Sequence, residues 1–145
     1  MYKHLLIATD GSELAGKAIS QGLELAKSIG ARVTIVTITE PFSANVPAEV
    51  AIVYSLEQYE LAVEQSASKI LSSASSVAAR EGVPCETVHV KDQFAAEGIV
   101  ATAQNCGCDL IIMASHGRRG FMRFMLGSQA HRVVIQSTIS VLICR

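Results

Sequence analysis

Gly117 and the pair Gly127-Ser128, with nine residues between them, are the positions in this 145-residue chain whose types and spacing first suggest chemistry. An apolar run, Leu110 to Ala114, ends in Ser115 and His116 just before Gly117. A buried strand would carry the chain to its carboxyl end there, and a glycine would let the backbone approach a ligand closely. Gly127-Ser128 would then open a helix whose first N–H groups lack partners and attract anions. Together these features describe a phosphate cradle. Arg118, Arg119 and Arg123 lie between the glycines and could screen phosphate charge. Phe121, Met122, Phe124, Met125 and Leu126 add apolar surface that should fold onto something, so Arg118 to Leu126 reads as a lid or a partner contact.

A second candidate is Asp10, which follows the apolar run Leu5 to Ala8. A carboxylate at such a strand end can accept from a ribose hydroxyl or help hold a hydrated divalent cation. Its plainer use is to organise the turn and support the next helix. Ser115 and His116 resemble a nucleophile and base, but neighbours in an extended segment point apart, and the Gly-x-Ser-x-Gly elbow is absent, so a hydrolytic triad is not expected. His131 follows Ser128 by one helical turn and reads as a solvent-facing or core-edge histidine. No Gly-x-Gly-x-x-Gly loop follows the first strand and no Gly-Lys-Ser/Thr occurs, so dinucleotide and P-loop chemistry lack their parts. The four cysteines give one Cys-Gly-Cys and no second pair for a metal, and read as reduced packing residues.

The elements that would position these groups are legible from periodicity. Strands are expected at Leu5–Ala8, Val33–Ile38, Pro84–Val90, Leu110–Ala114 and Val141–Cys144, short and rich in β-branched residues. Helices are expected from Glu13, capped by Ser12 and closed by Gly30; from Ala51 to Arg80, ended by Gly82; from Phe94 to Asn105, with Asp92 as cap; and from Ser128 to Gln136. Thr39 to Pro47, with two prolines, breaks regularity. Five strands alternating with four helices specify a single α/β domain over residues 1–145, a parallel sheet with helices on both faces. In such sheets ligands sit beyond the carboxyl ends of the strands. The turns Thr9–Ser12, Ile38–Pro41 and Ala114–Gly117 should therefore converge on one pocket.

Composition narrows the ligand. A formal net charge of -1 carries no basic stripe for nucleic acid, so a bound anion should be small. No stretch reaches membrane-spanning length, no signal-peptide core is visible, and the cytoplasm is the expected compartment.

With these residues in view, the chain resembles a universal stress protein of the nucleotide-binding type. The resemblance runs from Ala8-Thr9-Asp10-Gly11-Ser12-Glu13, through Asp109 to Gly117, to the last apolar strand. The family's ATP motif is Gly, two residues, Gly, nine residues, Gly and Ser or Thr; Gly117, Gly127 and Ser128 supply its second half. The resemblance implies a Rossmann-like sheet of order 3-2-1-4-5 and a homodimer formed through the C-terminal strand. It implies adenine and ribose bordered by Asp10 and the backbone near Ile38 and Met113, and phosphates cradled by Gly117, Gly127, Ser128 and Gln129. Ala8, Thr9, Ala114 and His116 complete the implied nucleotide-binding set. ATP with Mg²⁺ is the implied ligand, and the implied role is a nucleotide-dependent regulatory or interaction module acting on a protein partner. The alternatives are a nucleotide-free dimeric interaction protein and a slow ATPase with His116 near the water. Two positions depart from the family pattern: Ala114 stands at the first motif glycine, and Ser140 where a proline often precedes the last strand.

Overall fold

The structure, a computed structural model, describes residues 1–51, 55–118 and 125–145. In chain order the elements are β1 (His4–Ala8), α1 (Glu13–Ile29), β2 (Arg32–Thr39), α2 (Phe42–Asn45), α3 (Ala48–Ala51), α4 (Leu56–Glu81), β3 (Cys85–Lys91), α5 (Ala95–Asn105), β4 (Leu110–Ala114), α6 (Ser128–Gln136) and β5 (Ser140–Cys144). The strands form one parallel sheet of order β3-β2-β1-β4-β5, as expected. β1 lies at its centre, with Leu5 in register with both Val33 and Leu110.

Leu5, Leu6 and Ile7 are fully buried because helices cover both faces of β1. Leu5, Ile7, Val33, Ile35 and Ile112 pack with residues of α1 and α4, whereas Leu6, Val36, Ile111 and Met113 pack with residues of α5 and α6. Each such side chain contributes about 1.5–3 kcal/mol on burial. A helix meets a strand very closely at Gly22, where a Cβ would fall 2.6 Å from Ile7 Cδ1.

Ser12 caps α1 through Ala15 N–H, and Gly30 and Gly82 close α1 and α4 with left-handed backbones, as their positions predict. Two expectations, the start of the long helix and the cap of α5, are corrected. The long helix begins at Leu56, capped by Ser55, and the chain before it holds the short helices α2 and α3, where neither length nor period gives a signal. Within α4, Leu56 and Leu61 are exposed. Asp92 does not cap α5; it takes a left-handed φ of 55°, and Phe94 occupies the cap without a side-chain bond. The α5 start is served from a distance, since Gln129 Oε1 accepts from Ala96 N–H at 3.2 Å. Among the described residues no helix is long and apolar enough to cross a membrane.

Candidate functional site

The carboxyl ends of β1, β2 and β4 open into a cavity of about 550 Å³. The turn after β1 supplies part of its wall. Thr9 N–H donates to Val36 O at 2.9 Å, which fixes the end of β1 against β2. The Asp10 carboxylate then accepts twice, from Ser12 N–H at 3.0 Å and from Arg118 N–H at 2.8 Å. The first bond is the turn-organising role; the second ties the β1 turn to the turn after β4. At Gly11, whose φ is 78°, an added Cβ would lie 2.8 Å from Ile70 and 3.1 Å from the Arg118 guanidinium, so that cation lies over the turn.

The two motif glycines serve close approach. A Cβ at Gly117 would stand 2.7 Å from Asp10 Oδ2. At Gly127 it would stand 2.7 Å from the Ser115 carbonyl oxygen, which accepts from Gly127 N–H at 2.8 Å. The start of α6 is thereby pressed against the end of β4, with Gly127 as a cap that offers no side-chain bond. Helix N-termini of this kind present N–H groups to anions. Ala114 is extended, pairs with Cys144 in the ladder and has no positive φ, so its methyl imposes no backbone strain.

All eleven residues of the implied binding set line this cavity: Ala8, Thr9, Asp10 and Ile38 from the β1 and β2 ends, Met113, Ala114, His116 and Gly117 from β4 and its turn, and Gly127, Ser128 and Gln129 from α6. The Gln129 side chain is occupied in capping α5, which leaves its backbone N–H as the group an anion would meet. One expectation about Ser115 and His116 is overturned. The chain bends at Ser115, and Ser115 Oγ lies 3.1 Å from His116 Nδ1. The pair still lacks the elbow, and among the described residues no carboxylate is hydrogen-bonded to His116 to orient it. His131 is exposed, the solvent-facing one of its two expected settings.

Sequence reasoning missed the wall contributed by α4, where Tyr59, Val63, Ser66 and Ile70 face the cavity. Their spacing at three and four residues was readable as a helix face, but nothing local says that this face covers a ligand site instead of core. Above them, Tyr59 O–H donates to Glu40 O at 3.1 Å and its ring meets Phe42 edge-on at 4.9 Å, fastening the strap that contains α2. Of the expected lid, Arg118, Met125 and Leu126 are described; residues 119–124, with Arg119, Arg123 and the two phenylalanines, lie outside the described residues. The cysteines are free, with Cys108 and Cys144 buried, and burial pushes the Cys108 thiol up to about 12, the behaviour of a packing residue.

The comparisons with known proteins agree with this architecture. The chain is similar to the universal stress protein YxiE of Bacillus subtilis, 34% identical with both chains covered in full. It is similar in structure to the universal stress protein UspA from Lactobacillus plantarum, with a TM-score of 0.83 at 21% identity over 99% of this chain and 98% of that one. A universal stress protein in complex with cAMP matches with a TM-score of 0.74 at 26% identity, covering 99% of this chain and 97% of that one. The model of the universal stress protein family matches residues 1–145, and the chain belongs to that family.

Proposed function

We propose that this protein binds an adenine nucleotide in the cavity, ATP accompanied by Mg²⁺, and that occupancy alters the surface offered to a protein partner during a stress response in the cytoplasm. The observation that carries this reading is the contact between Gly127 and Ser115, which aims the start of α6 into one end of a cavity of nucleotide size. At the other end Ile38, Ile99 and Met113 offer apolar surface for a base. A related universal stress protein holding cAMP supports the choice of an adenine ligand.

The residues present fit such a ligand. Phosphates would meet backbone N–H groups of α6 and the Arg118 cation, and a ribose would meet Asp10. Among the described residues no three His, Cys, Asp or Glu side chains converge on a metal position, so Mg²⁺ would arrive on the phosphates, with Asp10 and Glu40 as the carboxylates of the cavity wall. Bound Mg²⁺ would neutralise phosphate charge. Dimerisation would use β5, an edge strand whose Leu142 is exposed.

The test is calorimetric titration of nucleotide-stripped protein with ATP-Mg²⁺, with AMP, cAMP and GTP alongside. Saturable adenine-selective binding near one per chain is the expected result, with a matching rise in melting temperature. Folded protein that shows neither heat nor a thermal shift would overturn the proposal.

A further inference from the structure

The far wall of the cavity contains a hydrogen-bonded chain that the phosphate end does not use. Thr39, the last residue of β2, lines the cavity, and its Oγ1 lies 2.8 Å from His89 Nε2 on β3. The other ring nitrogen, His89 Nδ1, faces Glu64 Oε1 of α4 at 3.9 Å. Glu64 is itself paired with Lys91, which holds its carboxylate in place. These are the charged groups that face His89: Glu64 from α4 and Lys91 from its own strand, with the neutral Thr39 on β2.

This arrangement fixes the direction of the hydrogen bond. A ring lone pair aimed at a carboxylate is repelled, whereas an N–H aimed at it is attracted, so the imidazole proton resides on Nδ1. Burial, helped by Lys91 and opposed by Glu64, lowers the His89 pKa below its ordinary value, which keeps the ring neutral at neutral pH. Nε2 is then an acceptor, and Thr39 must give it its single hydroxyl proton. What Thr39 has left for the cavity is acceptor capacity alone.

We propose that Thr39 is a specificity-determining residue: locked as an acceptor by His89, with Glu64 behind it, it selects a base bearing a 6-amino group over one bearing a 6-oxo group. The inference rests on the adenine-nucleotide reading and deepens it. His89 and Glu64 are positioning residues that never touch the base. They also line a separate groove of about 470 Å³.

The test is titration with ATP-Mg²⁺ and ITP-Mg²⁺, which differ at position 6 of the purine and in the proton on the adjacent nitrogen. The wild-type protein should prefer ATP by about ten-fold, the scale of one hydrogen bond made against one opposed. Thr39→Val, which removes the acceptor, should lower the ATP-over-ITP ratio several-fold by weakening ATP with ITP affinity nearly unchanged, whereas His89→Leu, which frees the hydroxyl to donate to a 6-oxo group, should lower it by strengthening ITP with ATP affinity nearly unchanged. Lowering the pH from about 7.5 to about 5 should also reduce the wild-type ratio, because imidazolium donates to Thr39 and turns its O–H toward the cavity; His89→Leu should not respond. Equal wild-type affinities, or a ratio that neither pH nor either variant moves, would overturn the proposal, as would equal weakening of both nucleotides, the mark of a merely structural role. Wild-type protein that binds neither nucleotide would instead sink the adenine reading beneath it.

Discussion

Asp10 and Asp109 are used in almost the same way at opposite ends of the sheet, yet one lies in a cavity and the other does not. Asp10 accepts from Ser12 and Arg118 N–H groups at the carboxyl ends of β1 and β4. Asp109 accepts from Lys3 N–H at 2.8 Å and His4 N–H at 3.2 Å at the amino ends of the same two strands. Each is a clamp between β1 and β4, and residue type alone does not separate them. What separates them is the space around them. Beyond Asp10 the chain turns outward into helices, and Gly117 leaves room where a Cβ would strike the carboxylate. Beyond Asp109 the side chains are packed away from solvent: His4 is buried with its Nε2 2.8 Å from Thr34 Oγ1, and Cys108 is buried as well. A His, Cys and Asp grouping can therefore be structural at one end while simpler residues form the candidate site at the other.

The contrast can be broken most severely at Gly127. Gly127→Val would drive side-chain carbons into the Ser115 carbonyl and force the start of α6 away from β4. ATP affinity should fall by about 100-fold or more by calorimetry, with the Asp109 end unchanged in hydrogen exchange. Unaltered affinity would remove α6 from the site.

The two clamps can be compared directly by truncation. Asp10→Ala and Asp109→Ala should each lower unfolding free energy by about 1–2 kcal/mol, since each strands two backbone donors. Only Asp10→Ala should also weaken ATP, by about ten-fold. Equal effects on affinity would mean that the cavity end is not distinct.

Acid should distinguish the ends next. Burial, reinforced by Arg32, lowers the His4 pKa, and His89 is lowered by burial as well. The unfolded chain therefore binds protons more readily than the folded one below the ordinary histidine pKa of about 6.5. Stability should be full above that value and should decline as pH falls from there toward the lower folded values. In urea titrations His4→Gln should flatten part of this decline and leave the share of His89.

The smallest effect is expected from Ala114→Gly, which restores the family glycine. Because Ala114 is a regular strand residue, affinity for ATP should change by less than about three-fold while stability falls by about 0.5–1 kcal/mol. A large gain in affinity would show that the methyl obstructs the ligand.

Much of this organisation was legible because it is local or strictly periodic. Five apolar runs located the strands to within a residue, and Ser12, Gly30 and Gly82 announced helix ends. The sheet order came from the resemblance, and the structure confirms it. The failures share a cause: their determinants lie far away in sequence. The α5 cap comes from Gln129, thirty-three residues from Ala96, so Asp92, the nearest residue of capping type before the helix, was a misleading substitute. Single-turn helices α2 and α3 are too short for any period to register. The bend at Ser115, which lets it reach His116, is imposed by the carbonyl contact to Gly127. The α4 wall of the cavity is visible only once β2 and β3 carry that helix over the strand ends.

The clamp at Asp109 also has a consequence in time. Its bonds to Lys3 and His4 span 106 and 105 residues, so the central strand of the sheet is made first and completed late. At about 5–20 residues per second of synthesis, β1 waits roughly 5–20 s for β4. During that interval it can pair with β2 alone, leaving one edge of a strand with four apolar residues in five open. Long-range closure of this kind slows folding, which makes the nascent chain most vulnerable to mispairing just before the cavity comes into existence.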